Sequence, residues 1–327
     1  MTNFKKIGVV GSGTMGHGIA QTFATYGYET VNYDSFPEAL KKAEVLVETN
    51  LKNMQKNGFI SFGEAHACKK NLKFSGNIED LKGCDLVVEA VPEKPEIKGP
   101  VYAQVAAVCG PETIIASTTS GFPIYKIVEE LVKNKQLDHP ERVIITHFNN
   151  PSHIIPLVEI VKGPVTQDAL VKDMRELMTS IGKTPVVINQ YIPGFIVNRL
   201  TAALLREASY LVEKGWVSAE DVDAAFASNQ GLKAPFEGPL ELMDYIGWDV
   251  AAGVGQVIYP FLNNATTPSP LAMQMLNAKN LGIKSGKGLY HDYTGIPREV
   301  LQARRDEAVM NILKTKKNIK PVSALKK

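Results

Sequence analysis

Short apolar runs alternate with longer amphipathic segments along the first half of the chain. Several runs are nearly continuous and rich in β-branched residues, which is typical of strands buried on both faces of a sheet. The predicted strands are residues 6–10, 30–33, 72–74, 85–88, 113–116, 143–146, 157–161 and 185–188. Amphipathic segments at residues 15–26, 37–56, 96–108 and 168–181 predict helices between them. This alternation predicts an α/β domain with a doubly wound parallel sheet.

The pattern changes after about residue 189, where strand-like runs almost disappear. One long helix is predicted at residues 194–214 and another single helix at 240–258. Further helical patterns begin near residues 218, 270 and 297, and Ser218 and Ser269 are candidate N-caps. The sequence therefore predicts two domains. Residues 1–189 carry the sheet, and residues 190–327 form an all-α C-terminal domain that ends in a basic tail.

Composition narrows the classes of partner. The 327 residues include 36 Lys and Arg against 34 Asp and Glu, a net charge of +2, which gives no electrostatic reason to expect nucleic acid or an anionic membrane. No apolar run reaches the roughly 18 residues that a spanning helix needs. Cys68, Cys84 and Cys109 lie far apart, so we expect buried thiols in a reducing compartment, the cytoplasm, and neither a disulfide framework nor a metal site. We expect no signal peptide, because a strand begins by Lys5.

A glycine-rich motif follows the first predicted strand and opens the first predicted helix. Its residues are Gly11, Ser12, Gly13, Thr14, Met15 and Gly16, a G-x-G-x-x-G run. The first glycine permits a tight turn, the second lets a pyrophosphate approach the backbone, and the third lets helix and strand pack closely. The N–H groups at the helix start can then hold phosphates, so these residues are candidate cofactor contacts.

An acidic residue ends the second predicted strand, where a dinucleotide site requires one. Asp34 can accept the ribose hydroxyls of NAD and would repel a 2′-phosphate. Ser35 and Phe36 follow it and offer no arginine to offset that charge. The sequence favours NAD over NADP, against the alternative of an ordinary turn in which Asp34 caps a helix.

A histidine and a glutamate occupy neighbouring strands later in the chain. His147 ends the predicted strand at 143–146, and imidazole can exchange a proton with an alcohol near neutral pH. Glu159 lies inside the apolar run Leu-Val-Glu-Ile-Val, where a carboxylate needs a partner. A paired Glu159 would fix the tautomer of His147 and stabilise its protonated form. A structural histidine and an edge-strand glutamate remain the alternative.

Two further polar residues are candidates for binding a substrate oxygen. Ser120 follows another strand end, and Asn198 lies one turn into the long helix. Spacing alone favours a capping role for Ser120 and a surface amide for Asn198.

Taken together, these motifs resemble the L-3-hydroxyacyl-CoA dehydrogenase family. The matching segments are GSGTMGHGIA (11–20), VVEA (87–90), ASTTS (116–120), HFNNP (147–151), LVE (157–159), PGFIVNR (193–199), GPLELMDYIG (238–247) and KSGKGLY (284–290). The resemblance implies a Rossmann-type domain, a helical domain that forms a homodimer, and an active site between them. It implies that His147 is the general base, Glu159 its partner, and Ser120 and Asn198 the groups that orient the oxygen. The cofactor contacts that it adds are Glu93, Lys98, Ser120, Asn150 and Lys284.

The chain departs from the family pattern at positions that bear on the substrate. Thr118 stands where the family has Asn, and Pro156 stands where acyl-CoA members often have Lys. The sequence Ile-Pro-Leu-Val-Glu around Pro156 is more similar to that of relatives that act on gulonate or carnitine. Asn50 and Asn57 replace a Ser and a Lys that are common in the helical hairpin where CoA docks. Lys52 and Lys56 lie nearby and are more simply explained as a solvated helix face.

The expected activity is NAD-dependent interconversion of a 3-hydroxyacyl-CoA and its 3-oxoacyl-CoA. One alternative is the same chemistry on a small hydroxy acid without CoA. Another is an NAD-binding structural or sensor protein without turnover. A dehydrogenase of the hydroxyisobutyrate type is disfavoured, because residues 194–205 contain no lysine.

Overall fold

The computed structural model describes residues 4–319, which divide into two compact units between Asn198 and Arg199. The first unit contains a sheet of eight strands in the order β3-β2-β1-β4-β5-β6-β7-β8. The strands are β1 (Lys6–Val10), β2 (Glu29–Tyr33), β3 (Leu72–Ser75), β4 (Leu86–Glu89), β5 (Ile114–Ser117), β6 (Val143–Phe148), β7 (Leu157–Val161) and β8 (Thr184–Ile188). All neighbours are parallel except β6 and β7, so the predicted doubly wound fold is confirmed with one antiparallel pair.

Helices cover both faces of this sheet. They are α1 (Gly16–Thr25), α2 (Pro37–Lys56), α3 (Phe62–Asn71), α4 (Pro95–Cys109), α5 (Ile124–Lys133) and α6 (Asp168–Ser180). Adjacent strand residues such as Val87 and Val88 enter different hydrophobic clusters, which explains why the strand sequences are continuously apolar. Helices α3 and α5 are absent from the sequence prediction. Only Ala65 and Cys68 of α3 are buried, so its apolar pattern is weak.

The antiparallel pair has a physical cause in the chain length between its strands. Residues 149–156 join β6 to β7, whereas a parallel crossover needs about a dozen residues or more. The chain therefore turns back beside β6. In the resulting register His147 lies directly opposite Glu159.

From residue 199 to residue 319, the regular elements of the second unit are helices and two isolated bridges, Gly282 to Lys287 and Lys287 to Asp292. Its helices are α7 (Val197–Glu213, which begins in the first unit), α8 (Ala219–Ser228), α9 (Gln230–Lys233), α10 (Pro239–Ile246), α11 (Trp248–Ile258), α12 (Pro270–Asn277) and α13 (Arg298–Lys317). Ser218 and Ser269 cap α8 and α12 as predicted.

Helices α10 and α11 differ from the sequence prediction. The single helix predicted at residues 240–258 is wrong, because Gly247 adopts φ +90 and separates α10 from α11. The end of the predicted basic tail, from residue 320, lies outside the described residues. The predicted domain boundary at residue 189 stays a prediction.

The cysteines are free thiols, with Cys68 and Cys84 buried and Cys109 half-buried. Burial raises the pKa of Cys84 to about 12, so its thiol stays protonated at neutral pH. Between residues 4 and 319, none of the helices has the length and apolar character needed to cross a bilayer.

Candidate active site

The loop from β1 to α1 has the geometry of a dinucleotide-binding turn. Gly11 adopts φ +97, and a Cβ there would lie 2.8 Å from the carbonyl oxygen of Ala90. A Cβ on Gly16 would lie 1.8 Å from the carbonyl oxygen of Gly11. A Cβ on Gly13 would meet no atom within 4 Å, so the backbone there is open to a ligand. The close approaches at Gly11 and Gly16 exclude any side chain larger than hydrogen.

Asp34 and Ser12 connect the end of β2 to this loop. The Ser12 N–H donates to Asp34 Oδ2 at 2.7 Å, and the Phe36 N–H donates to Oδ1 at 3.0 Å. Ser12 Oγ is buried and has no hydrogen-bond partner within residues 4–319. An orphaned hydroxyl at the start of a helix fits a phosphate oxygen, and Asp34 beside it fits a ribose hydroxyl. Thr14 is exposed and Met15 half-buried in the same loop. The residues present therefore fit a dinucleotide.

His147 and Glu159 form a buried pair across β6 and β7. His147 Nδ1 lies 2.7 Å from Glu159 Oε2, and the two side chains are 6% and 0% exposed. Glu159 Oε1 accepts the N–H groups of Ile196 at 2.8 Å and Val197 at 3.1 Å, at the start of α7. Burial opposes ionisation of Glu159, but these hydrogen bonds outweigh it and hold the pKa of the carboxyl below its usual range.

This pair leaves one imidazole nitrogen available for chemistry. Because ionised Glu159 accepts a hydrogen bond, Nδ1 of His147 carries the proton and the lone pair is on Nε2. The fixed negative charge also stabilises an imidazolium when Nε2 takes up a proton. The ring of Phe195 lies 5.3 Å from the His147 ring, which limits how the imidazole can turn. The arrangement can act as a general base.

Ser120 and Asn198 lie next to each other in the first unit. Asn198 Nδ2 donates to the Ser120 carbonyl at 3.1 Å, and the Ser120 N–H donates to Glu93 Oε1 at 2.9 Å. Thr119 Oγ1 also donates to Glu93 Oε1, at 2.8 Å. Glu93 therefore fixes the loop after β5 that presents Ser120.

Lys98 is buried beneath Glu93 in an ionic cluster that the sequence analysis missed. Its Nζ donates to Glu89 Oε1 at 2.8 Å and lies 3.2 Å from Glu93 Oε2, with the side chain 1% exposed. Glu89 Oε2 also accepts from Tyr102 at 2.9 Å and Ser117 at 2.7 Å. The signal was available, because Glu89 ends an apolar strand and a carboxylate there needs a partner.

The remaining sequence-predicted residues take no part in these contacts. Asn150 is exposed just after β6, at the cis peptide bond to Pro151. Lys284 is exposed in the second unit, in the turn between the bridged residues Gly282 and Lys287. Thr118, in place of the family's Asn, accepts the Phe148 N–H at 3.2 Å through Oγ1.

Comparison with known proteins identifies the family of the chain. Residues 6–191 match the model of the 3-hydroxyacyl-CoA dehydrogenase NAD binding domain, and residues 194–292 match the C-terminal domain of the same family. The chain is 36% identical over 302 residues to 5-formyl-3-hydroxy-2-methylpyridine 4-carboxylate 5-dehydrogenase from Mesorhizobium japonicum, covering 92% of this chain and 94% of the relative.

Two solved structures extend the comparison. A structure described as this pyridine carboxylate dehydrogenase, an NAD⁺-dependent dismutase, superposes with a TM-score of 0.87 at 34% identity, covering 97% of this chain and all of that one. The (S)-3-hydroxybutyryl-CoA dehydrogenase of Ralstonia eutropha gives a TM-score of 0.72 at 32% identity, with coverage of 89% and 100%. The predicted cofactor, NAD, and the predicted class, an oxidoreductase acting on a hydroxyl group, are confirmed. The chain belongs to the 3-hydroxyacyl-CoA dehydrogenase family.

Proposed function

We propose that the protein interconverts an alcohol and a carbonyl compound with His147 as general base and Glu159 as its partner. The observation that carries this proposal is the buried contact of 2.7 Å between His147 Nδ1 and Glu159 Oε2. It lies in the carboxyl-terminal half of β6, in the domain whose glycine-rich loop fits a dinucleotide. A protein that only bound NAD would have no need of a proton acceptor there.

The proposed reaction consists of a proton transfer and a hydride transfer. In the oxidative direction His147 Nε2 takes the hydroxyl proton, and ionised Glu159 stabilises the imidazolium that forms. When bound, NAD⁺ supplies the acceptor for the hydride that leaves the same carbon. Ser120 and Asn198, tied together by their hydrogen bond, orient the substrate oxygen in this proposal.

The proposed cofactor contacts are of two kinds. The loop residues 11–16 and Asp34 hold the phosphates and the adenosine ribose, while Glu93 and Asn150 contact the cofactor nearer the nicotinamide. Lys98 is 1% exposed, so we propose that it acts by holding Glu93. Lys98 and Glu89 are both buried, and their good geometry and several hydrogen bonds offset the free-energy cost of removing the two charges from water.

For the substrate, we favour a small hydroxy acid without CoA over a 3-hydroxyacyl-CoA. Asn50 Nδ2 donates to Gln21 Oε1 at 3.1 Å, and Asn57 Nδ2 donates to the Asn53 carbonyl at 2.9 Å. Both amides that replace the family's CoA-associated residues are therefore engaged within the first unit. Lys52 is paired with Glu48 at 3.1 Å, as on a solvated helix face. The pyridine carboxylate relative, whose printed name contains no CoA, supports a small substrate without a CoA group.

Matched substrates test this choice. We expect NADH formation from free hydroxy acids with a kcat/KM at least tenfold higher than from the corresponding CoA thioesters, because no CoA handle offsets the ordering of that long group. The measurement is initial NADH absorbance with 3-hydroxybutyrate, longer and dicarboxylic hydroxy acids, and the CoA thioester of each. The reverse ranking would return the substrate to 3-hydroxyacyl-CoA and leave the chemistry intact. Absence of turnover on either series would instead favour an NAD-binding structural or sensor protein.

We also propose that the second unit pairs two copies of the chain. Its helices α8, α9, α10 and α12 bury none of their residues. Large apolar side chains are exposed throughout it, including Trp216, Phe226, Leu240, Tyr245, Trp248, Val257, Tyr259 and Phe261. Apolar surface on this scale is typical of a protein–protein interface.

Sedimentation of the intact protein tests the pairing. We expect twice the 35.7 kDa of one chain at micromolar concentration. Phe261→Asp should shift the equilibrium toward the monomer, because it places a charge in the apolar surface. Phe62→Asp is the matched control, since Phe62 is 80% exposed in the first unit and Phe261 77% exposed in the second. A monomeric wild-type protein would contradict the proposal.

A further inference from the structure

Lys183 is a buried cation outside the network described above. It lies between α6 and β8, is 7% exposed, and belongs to none of the ion pairs within residues 4–319. Its Nζ donates to the carbonyls of Ser152 at 2.5 Å and Ile155 at 3.0 Å. It also lies 5.8 Å from the centre of the Phe148 ring. One ammonium group thus meets two backbone oxygens and an aromatic face.

Two of the three partners lie in the connection between the strands of the His–Glu pair, and the third directly precedes it. Phe148 directly follows His147 at the end of β6, and residues 149–156 lead to β7, which carries Glu159. The carbonyls of Ser152 and Ile155 both lie in this connection. Lys183 therefore binds two carbonyl groups of the segment that leads the chain from β6 back to β7.

The same connection contacts the helix that begins at the glycine-rich loop. Ser152 Oγ donates to the Met15 carbonyl at 3.1 Å, and Thr22 Oγ1 lies 3.5 Å from the Ser152 carbonyl. A Cβ on Gly18 would lie 2.4 Å from Ser152 Oγ, so α1 and the connection approach closely. Ser152 therefore contacts both Lys183 and α1.

A side chain that only filled the space occupied by Lys183 would not need an amino group. A methionine has a similar length and would avoid the cost of taking an ammonium out of water. Burial lowers the pKa of Lys183 to about 7, yet the neutral amine still has two hydrogens for its two carbonyl acceptors. The donors of Lys183, rather than its bulk, account for its presence among these partners.

We propose that Lys183 is a positioning residue that holds the connection 149–156 in register with both the His147–Glu159 pair and the start of the nucleotide-binding helix. This rests on the proposed roles of His147 and Glu159. Lys183 touches neither substrate nor cofactor in this proposal. It acts through the backbone of Ser152 and Ile155.

The test compares Lys183→Met with wild type in the intact protein. We expect kcat to fall about 10- to 100-fold and the Kd for NADH to rise several-fold, because a misplacement of about 1 Å can cost 10²-fold in rate. The melting temperature should fall by a few degrees at most, because the loss of two donors to backbone carbonyls is partly offset by the removal of a buried amino group. Lys172→Met, an exposed lysine on α6, is the matched control and should change none of the three.

The readouts separate positioning from a purely structural role. A lower melting temperature with kcat and NADH affinity unchanged would overturn the proposal. Should Lys183→Met fail to fold, Ser152→Ala decides. It leaves the carbonyl for Lys183 but removes the bond to Met15, and an NADH Kd within twofold of wild type would then overturn the proposal. NADH affinity is measured without turnover, so this result is independent of whether the proposed reaction is right.

Discussion

Replacing His147 by Gln is expected to lower kcat by about 10²–10⁴ while the Kd for NADH stays within about twofold of wild type. Gln has no basic nitrogen, so the hydroxyl proton has no acceptor in the transition state, and that range is the usual contribution of a general base. The glycine-rich loop and Asp34 do not contact His147, so nucleotide binding should persist. The measurement is steady-state NADH formation beside fluorescence titration with NADH.

A second histidine provides the matched control. His139 Nδ1 lies 3.0 Å from Glu141 Oε1, so it too is paired with a carboxylate, but the pair is on the surface before β6. His139→Gln should leave kcat unchanged. Unchanged kcat in His147→Gln would remove His147 from the mechanism, and loss of NADH binding there would show that the residue is needed for the fold of the domain.

Glu159→Gln is expected to lower kcat by a similar factor, about 10²–10⁴, because it changes which imidazole nitrogen of His147 carries the proton. The amide oxygen can still accept the N–H groups of Ile196 and Val197, but the amide nitrogen now donates to His147 Nδ1. The ring must then carry its proton on Nε2, where the base is needed, and the imidazolium loses its counter-charge. The corresponding Asp to Asn change in serine proteases costs about 10⁴ by the same route.

The pH dependence of stability gives a second readout for Glu159. Its pKa is lowered in the folded protein, so its ionised form adds stability at neutral pH, and that stability is lost as the pH falls through the folded pKa. The difference in unfolding free energy between wild type and Glu159→Gln should therefore shrink as the solution is acidified. A constant difference across the acid range would mean that Glu159 is not ionised in its hydrogen-bonded site.

Much of the fold follows from local sequence patterns. The strand that precedes Gly11, the helix that follows Gly16 and the acidic residue Asp34 were each predictable, because periodicity and glycine chemistry act over a few residues. Two short helices were not found, and Gly247 divides what looked like one helix. The apolar pattern of α3 is weak, and α5 has a clear amphipathic pattern that the prediction missed. At Gly247 a single backbone conformation interrupts an apolar pattern.

The site was predictable in its members but not in its geometry. His147 and Glu159 were paired from their types and neighbours, yet the cross-strand position of the two depends on an antiparallel turn that contradicts an all-parallel sheet. The family resemblance implied a cofactor contact at Lys98, and its side chain is buried under Glu93. Lys183 gave no signal, because its partners are backbone carbonyls that are distant along the chain and invisible to a residue pattern.

The most direct test of the central claim is a double-mutant cycle on kcat with His147→Gln, Glu159→Gln and the two combined. If Glu159 acts only through the imidazole, the double variant should be no more than about threefold slower than His147→Gln, because residues that act as one unit are strongly non-additive. A double variant whose loss equals the product of the two single losses would mean that the two side chains act independently, and would contradict the account.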